Sequence, residues 1–556
     1  MKTLFTSVRC MECGHEMEAD LFAPRCSACG GAWVEARYDT AALPADWPAL
    51  VAQRPANLWR YRELLPFPDD FPIVSMGEGW TPLTRAAGLE RESGHREIWI
   101  KDERLSPTGS FKDRQAAFTV SGLKARGIDE FVIASTGNAA AAYAAYCARA
   151  GIKLWVFLPS NVPAEKIREL ALYGAEVVKI TGTYDQAKEI AADFAARRGI
   201  YKDQGAKGIT GKESMKTIAL ELVEQFGWQA PDWYIQAVSG GIGPLGVLKG
   251  FQELHEAGLI DRVPKLGIVQ VEGCSPMVRA WERGLEQAEP IVPDTLVIVL
   301  STGKPGLAYQ VLKQASDQYG GAMVAVSDGD TFRAMRRIAR TEGFSMEPAA
   351  SVAFAGLEKL LNEGHIQPGE RVVVNCSGHT FSAEKHALED HFLLHLDVDA
   401  PLAERPSDGI QSLPKDNLAA VMDQLDEQIT TIVVIDDNAH DSRLIRRLLQ
   451  SYKRYRVFEA HNGLDGIDLV RQRKPGLVIL DLTLPGMDGF SILDELKGDA
   501  RTREIPVVIV SAKSLTSTEG KHLRRYTESV WQKGNFSARE LVDHVIGLLG
   551  DNMGEQ

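Results

Sequence analysis

The sequence predicts an α/β protein of more than one domain, from three observations. At 556 residues the chain is too long for one ordinary domain. Between about 45 and 397, short Val/Ile-rich runs alternate with longer amphipathic stretches, the pattern of a mostly parallel sheet covered by helices. From 430 a tighter alternation fits five strands and five helices into about 120 residues, the size of a small doubly wound domain.

The first element is a cysteine unit at residues 1–40. Its pairs CMEC and CSAC lie twelve residues apart. Thiolates spaced C-x2-C both reach one tetrahedral Zn2+, and Gly14 and Gly30 permit the tight turns around it. With Cys10, Cys13, Cys26 and Cys29 all engaged, no coordination position stays open, so a structural zinc is expected. Cys147, Cys274 and Cys376 are scattered singly, which is not a disulfide framework. The acidic stretch CGHEMEADLFAP and a formal charge of -13 argue against nucleic acid and membrane surfaces as partners. No 18-residue apolar run and no secretion-signal core appear, so a cytosolic location is expected.

The central α/β region carries four chemical signals. KDERLSPTGSFKDRQAAF places Lys112 where a Gly/Ser turn opens an Ala-rich helix, a position that a solvated lysine also fills. STGNAAAAYAAYCARAG brings Asn138 to a helix start, and VVVNCSGHTF ends a buried strand on Ser377. IQAVSGGIGPLGVLKGF follows a strand with Ser239, Gly240, Gly241, Ile242 and Gly243, then opens a helix. There backbone N–H groups approach a phosphate without Cβ obstruction. That loop matches neither G-x-x-x-x-G-K-[ST] nor G-x-G-x-x-G. A phosphate cradle, a helix-opening asparagine and a turn lysine suit pyridoxal phosphate, which needs an anchor, an amine and ring partners.

Residues from about 70 to 390 resemble the fold-type II pyridoxal-phosphate enzymes, the two-lobed tryptophan synthase β-like fold, and most of all the threonine synthases. GEGWTPL (77–83), SPTGSFKDR (106–114), STGNAAAAYAAYCARAG (135–151), MEPAASVAFAGL (346–357) and CSGHT (376–380) carry the resemblance, in family order. It implies a catalytic domain over 41–398, preceded by the zinc ribbon that accompanies some threonine synthases. It further implies that Lys112 forms the Schiff base, that Phe111 helps hold the ring, and that Asn138 bonds its 3′ oxygen. Residues 240–243 would hold the phosphate and Ser377 would face the pyridine nitrogen. Thr81, Ser135, Thr136 and Lys216 would contact the substrate. The reaction implied is O-phospho-L-homoserine and water to L-threonine and phosphate, in a homodimer.

Two segments depart from that family. SGGIGP stands where an Asn-rich loop is usual, and GITGKESMKT (208–217) lacks the usual arginine, for which Lys212 is a candidate replacement. The SGG loop resembles threonine and serine dehydratases, diaminopropionate lyases and cysteate synthase. These lyases, and an amino-acid-sensing or vestigial cofactor domain in a signalling protein, stand as alternatives.

Pro401, Pro406 and Pro414 in a weakly apolar stretch mark a linker at 399–428, with Leu418, Val421, Met422 and Leu425 at helical spacing inside it. In the last domain, 429–550, strand ends deliver Asp436 and Asp437 in VVIDDN, Asp481 in LVILDLTLPGMDGF, Ser511 in VVIVSA and Lys533 in VWQKG to one side of the sheet. Three carboxylates there can hold Mg2+. Over its full length this region is similar to the flavodoxin-like receiver domain of bacterial response regulators. The resemblance implies Asp481 as acceptor of a phosphoryl group from a histidine kinase or phosphotransfer protein, with Asp436 and Asp437 on Mg2+ and Ser511 and Lys533 on the phosphoryl oxygens. Gly534 and Val530 stand where receivers usually carry proline and an aromatic residue. The expectation is an enzyme acting on a small phosphorylated or hydroxy amino acid, adjusted by phosphorylation of Asp481.

Overall fold

The computed structural model describes residues 3–379, except 24, 136, 160–163 and 181–183. It also describes 430–550, except 439–441, 443–444, 447–448, 450–454, 514 and 534–537. Thr136 and the expected linker with its helix lie outside the described residues. The chain divides into two compact units, Met1–His391 and Phe392–Gln556.

The first unit opens with a three-stranded antiparallel sheet in which Phe5–Cys10 lies between Glu16–Met17 and Val34–Tyr38. Beyond it stand two sheets. The larger has six strands in the order Gly321–Val326, Lys265–Val271, Trp233–Ala237, Val372–Cys376, Ile98–Asp102 and Leu83–Arg85. All its pairings are parallel except the last, where the short edge strand Leu83–Arg85 runs antiparallel. The four-stranded sheet, Glu176–Ile180, Lys153–Pro159, Glu130–Ala134 and Tyr201–Lys202, is entirely parallel. Central strands such as Val372–Cys376 are buried along their whole length, which explains their unbroken apolar sequence. The helices Ile209–Gln225, Ile242–Glu256 and Pro348–Asn362 cover the larger sheet, while Lys112–Ala125 and Asn138–Ala150 pack into the core of the smaller one.

The second unit is one parallel sheet in the order Tyr455–Ala460, Thr430–Ile435, Leu477–Leu480, Val507–Ser511, Ser529–Gln532. Counted along the chain this is 2-1-3-4-5, the flavodoxin-like order. Among the described residues, no helix of either unit is long and apolar enough to cross a membrane.

Candidate active site and carboxylate cluster

In parallel sheets, ligands gather beyond the carboxyl ends of the strands. In the larger sheet the neighbouring strands Trp233–Ala237 and Val372–Cys376 lead into residues 238–243 and 377–379. In the smaller sheet Glu130–Ala134 and Tyr201–Lys202 lead into Ser135–Asn138 and Asp203.

The turn before Lys112 is laced to the Ser377 segment. The Phe111 N–H donates to the Ser377 carbonyl at 3.0 Å, the His379 N–H donates to Gly109 at 2.8 Å, and Ser110 bridges to Gly378. Glu347, at the N-cap of helix Pro348–Asn362, leaves its helix uncapped and accepts a hydrogen bond from the Asn138 amide at 2.7 Å. A Cβ on Gly378 would stand 2.4 Å from Glu347 Oε1 and 3.1 Å from Asn138 Nδ2, so glycine is what lets the three segments meet. The turn that carries Lys112 is thus joined to the larger lobe through Phe111 and Ser377, and the Asn138 turn through Glu347.

Lys112 Nζ lies 4.2 Å from the Phe111 ring centre, and among the described residues no hydrogen bond reaches it. Burial pushes its amine down to about 8, against the pull of the Asp203 and Glu347 carboxylates. Next to it, burial pushes Asp113 up to about 7, although Thr108 donates to it from its N–H at 2.9 Å and its hydroxyl at 2.7 Å. Asp203 is raised by burial and holds hydrogen bonds from Tyr143 at 2.8 Å and the Gly205 N–H at 3.1 Å.

The glycine loop ends on Gly241, whose φ of +89° suits glycine and N-caps the helix Ile242–Glu256. Ser239 donates to Thr302 at 2.7 Å. Residues 299–302 border both turns: Val299 packs where a Cβ of Gly137 would stand, and Thr302 lies beside Gly240.

Two residues expected to contact substrate, Thr81 and Lys216, are engaged in buried networks. Thr81 donates to Glu103 at 2.7 Å and accepts from Arg114 at 3.2 Å, inside a buried network with Glu221 and Lys101. Lys216 is buried between Glu213 at 2.5 Å and Glu253 at 2.9 Å, with its ammonium over the Tyr38 ring. Thr136 lies outside the described residues, while Ser135 is buried at the end of its strand. Lys212, the candidate replacement for the absent arginine, donates to the carbonyls of Ala206, Lys207 and Gly208. A lysine predicted from spacing alone can be claimed by a neighbouring carboxylate or by helix-end carbonyls, and both of these were. Sequence reading missed Asp203, Tyr143 and Thr302, which carried no local signal. It also missed Glu347, whose position before Pro348 marked only a helix start.

The four cysteine sulfurs lie within 4.8 Å of one another, with Cys10–Cys29 and Cys13–Cys26 each at 3.7 Å. A zinc tetrahedron with bonds of about 2.3 Å has edges of about 3.8 Å, so the unit fits the metal.

In the second unit, Asp436, Asp437 and Asp481 also bring carboxylate oxygens within 4.8 Å of one another. Lys533 donates to Asp436 at 2.8 Å and to Asp481 at 2.7 Å. Burial would raise Asp481, but hydrogen bonds from Lys533, Thr483 and Ser511 outweigh it and hold the carboxyl below its ordinary range. Asp436 is raised, by burial first and by the Asp481 charge beside it. The three carboxylates form an all-oxygen ligand set, which suits Mg2+. Thr483, which donates to Asp481 from both N–H and hydroxyl at 2.9 Å, was also missed.

The pyridoxal-phosphate dependent enzyme family matches residues 74–378, and the response regulator receiver domain family matches 432–545. Threonine synthase of Methanocaldococcus jannaschii is 36% identical over 374 residues, covering 67% of this chain and 91% of that protein. Threonine synthase of Methanosarcina acetivorans is 33% identical over the same shares. The structure of diaminopropionate ammonia lyase from Escherichia coli aligns with a TM-score of 0.49 at 16% identity, over 56% of this chain and 88% of that one. The chain belongs to the pyridoxal-phosphate-dependent enzymes, among the relatives of threonine synthase, and carries a response regulator receiver domain as its second unit.

Proposed function

We propose that the first unit converts O-phospho-L-homoserine and water to L-threonine and phosphate, using pyridoxal phosphate held by Lys112, and that phosphorylation of Asp481 adjusts the rate. The observation that carries this reading is the Lys112 cluster. It offers a half-buried amine without a hydrogen-bond partner among the described residues, on a turn laced to the Ser377 segment, in a chain related to threonine synthases. Bound there, pyridoxal phosphate supplies an electron sink for negative charge at the substrate's α carbon. Lys112, poised near pH 8, takes up and returns protons at substrate carbon. Glu347 orients the Asn138 amide toward the ring oxygen. The N–H groups of Gly240, Gly241, Ile242 and Gly243 and the dipole of their helix hold the cofactor phosphate. Ser377 offers the ring nitrogen a neutral hydroxyl, which leaves that nitrogen less protonated and favours elimination and replacement chemistry. Ser135 stands at the substrate side of the Asn138 turn.

In the second unit Asp436 and Asp437 hold Mg2+ together with Asp481, which accepts the phosphoryl group. Lys533 and Ser511 compensate its oxygens, and a histidine kinase or phosphotransfer protein is the donor. We assign the boundaries as 1–40, 41–398, 399–428 and 429–550, the chain in the cytosol, and the assembly as a homodimer.

One observation favours a second reading. Lys212 and Lys216 are committed to carbonyls and carboxylates, so neither supplies a cation for a substrate phosphate. A hydroxy or diamino acid would not need one, which points to a dehydratase or ammonia lyase. The test is a substrate panel of O-phosphohomoserine, threonine, serine, O-phosphoserine and diaminopropionate. Threonine formation from the first alone supports the synthase. Keto-acid release from the others supports the lyase, and no turnover of any supports a sensor.

A further inference from the structure

The cysteine unit touches one stretch of the first unit at several successive points. Residues 201–209 run from the strand Tyr201–Lys202 to the first turn of helix Ile209–Gln225. Phe22 meets Tyr201 edge-on at 4.9 Å between ring centres. The Val34 N–H donates to the Lys207 carbonyl at 3.1 Å. Ile209 is buried in one cluster with Val8, Val34 and Ala36. One turn further along the helix, the Tyr38 hydroxyl donates to Glu213 at 2.8 Å. The stretch is therefore held at both ends by residues of the cysteine unit.

Asp203 lies inside that stretch, fixed by its N–H to the Val132 carbonyl at 2.9 Å and by the Tyr143 hydroxyl on its carboxylate. Gln115, three residues after Lys112 on the same helix, donates to Asp203 at 3.4 Å, which sets that carboxylate against the Lys112 helix. Asp203 and Glu347 are the carboxylates whose charge acts on Lys112, and Lys202 lies beside Asp203. We propose that the cysteine unit is a clamp on the active site, which by holding residues 201–209 fixes Asp203 against the Lys112 helix. This rests on the reading of Lys112 as the cofactor's amine.

The physical reason lies in size. The unit's cluster of fully buried apolar side chains is Val8, Val34 and Ala36, completed by Ile209 from outside the unit. So small a core does not hold a fold alone, and a metal ordinarily supplies the rest. Loss of metal then loosens Phe22, Val34 and Tyr38 together, and the 201–209 stretch loses its outer contacts. Asp203 is a positioning residue in this scheme: its charge favours the protonated form at Lys112, so moving it away lowers the pH at which the site titrates.

The experiment is a pH titration of the holoenzyme's visible absorbance, run before and after chelation of zinc, on wild type, Asp203→Asn and Phe22→Ala. Zinc content and circular dichroism are read on every sample. Asp203→Asn is expected to lower the midpoint by about half a unit or more. Zinc removal should lower it in the wild type in the same direction and by a similar amount, and should add nothing in Asp203→Asn. A zinc-free wild type with unchanged dichroism and unchanged midpoint overturns the proposal. Should zinc removal also cost the dichroism signal, zinc-loaded Phe22→Ala decides: a lowered midpoint supports the clamp, an unmoved one overturns it. Absence of any visible band in the wild type removes the reading of Lys112 itself, an outcome distinct from a band that does not move.

Discussion

Lys112 combines a charge cost and a charge gain in one side chain. Burial favours the neutral amine, while Asp203 and Glu347 favour the ammonium, and burial wins by enough to bring the group to about 8. Only the neutral amine attacks a carbonyl, so uptake of pyridoxal phosphate by cofactor-free protein should speed up as pH rises through about 8 and level off above it. Below that point it should fall about tenfold per unit. Stopped-flow absorbance at several pH values measures this, and a rate flat from pH 6 to 9 would refute the assignment. The turns that carry Lys112, Asn138 and Ser377 were legible because each shows a local Gly/Ser signal. Asp203 and Glu347 were not, because what matters about them is a partner roughly a hundred or two hundred residues away in sequence, which no local pattern encodes. The same holds for Thr81 and Lys216, whose carboxylate partners are set by packing.

At the scale of elements, the glycine loop and the start of the Lys112 helix make separate predictions. Gly241 adopts φ +89°, and an added Cβ would meet the Ala308 side chain at 2.8 Å. Gly241→Ala should cost about 1–2 kcal/mol from the left-handed backbone alone. It should weaken pyridoxal phosphate binding several-fold, as read by absorbance titration, while Gly127→Ala, at a positive-φ turn with open space around it, should cost stability without touching cofactor affinity. Two positions after Lys112, Arg114 is buried with Glu103 at 2.8 Å and Glu221 at 2.5 Å, and Glu221 is held at about 2 by Arg114 and Lys101 against the opposing effect of burial. Arg114→Leu leaves two buried carboxylates short of a cation and should destabilise the first unit by about 3–5 kcal/mol. Urea unfolding followed by the cofactor's absorbance reports that unit alone. The strands were legible as elements because parallel sheets bury both faces and so read as apolar runs. The order of strands within each sheet, and the antiparallel edge strand Leu83–Arg85, were not, since pairing depends on distant partners. The convergence of the four cysteines was legible from their spacing, while the unit's contacts with residues 201–209 needed the folded chain.

At the scale of the whole molecule, two units with separate cores hold two side-chain clusters, one around Lys112 and one around Asp481. The carboxylate cluster has the parts to take a phosphoryl group: three converging acids, the Lys533 ammonium and the Ser511 hydroxyl. An aspartyl phosphate adds charge at that cluster, and coupling between two sites on one protein is typically about 1–3 kcal/mol, or roughly 5- to 150-fold. The account therefore predicts a graded change in enzyme rate on phosphorylation rather than an on–off switch. The most direct measurement is the rate of threonine formation from O-phosphohomoserine by the full chain, with and without acetyl phosphate and Mg2+, beside Asp481→Asn and Lys112→Ala. The predicted result is no threonine from Lys112→Ala, a rate in the wild type that changes within that range on phosphorylation, and an Asp481→Asn rate that does not respond. Equal wild-type rates with Asp481 demonstrably phosphorylated, or threonine formation that survives Lys112→Ala, would contradict it.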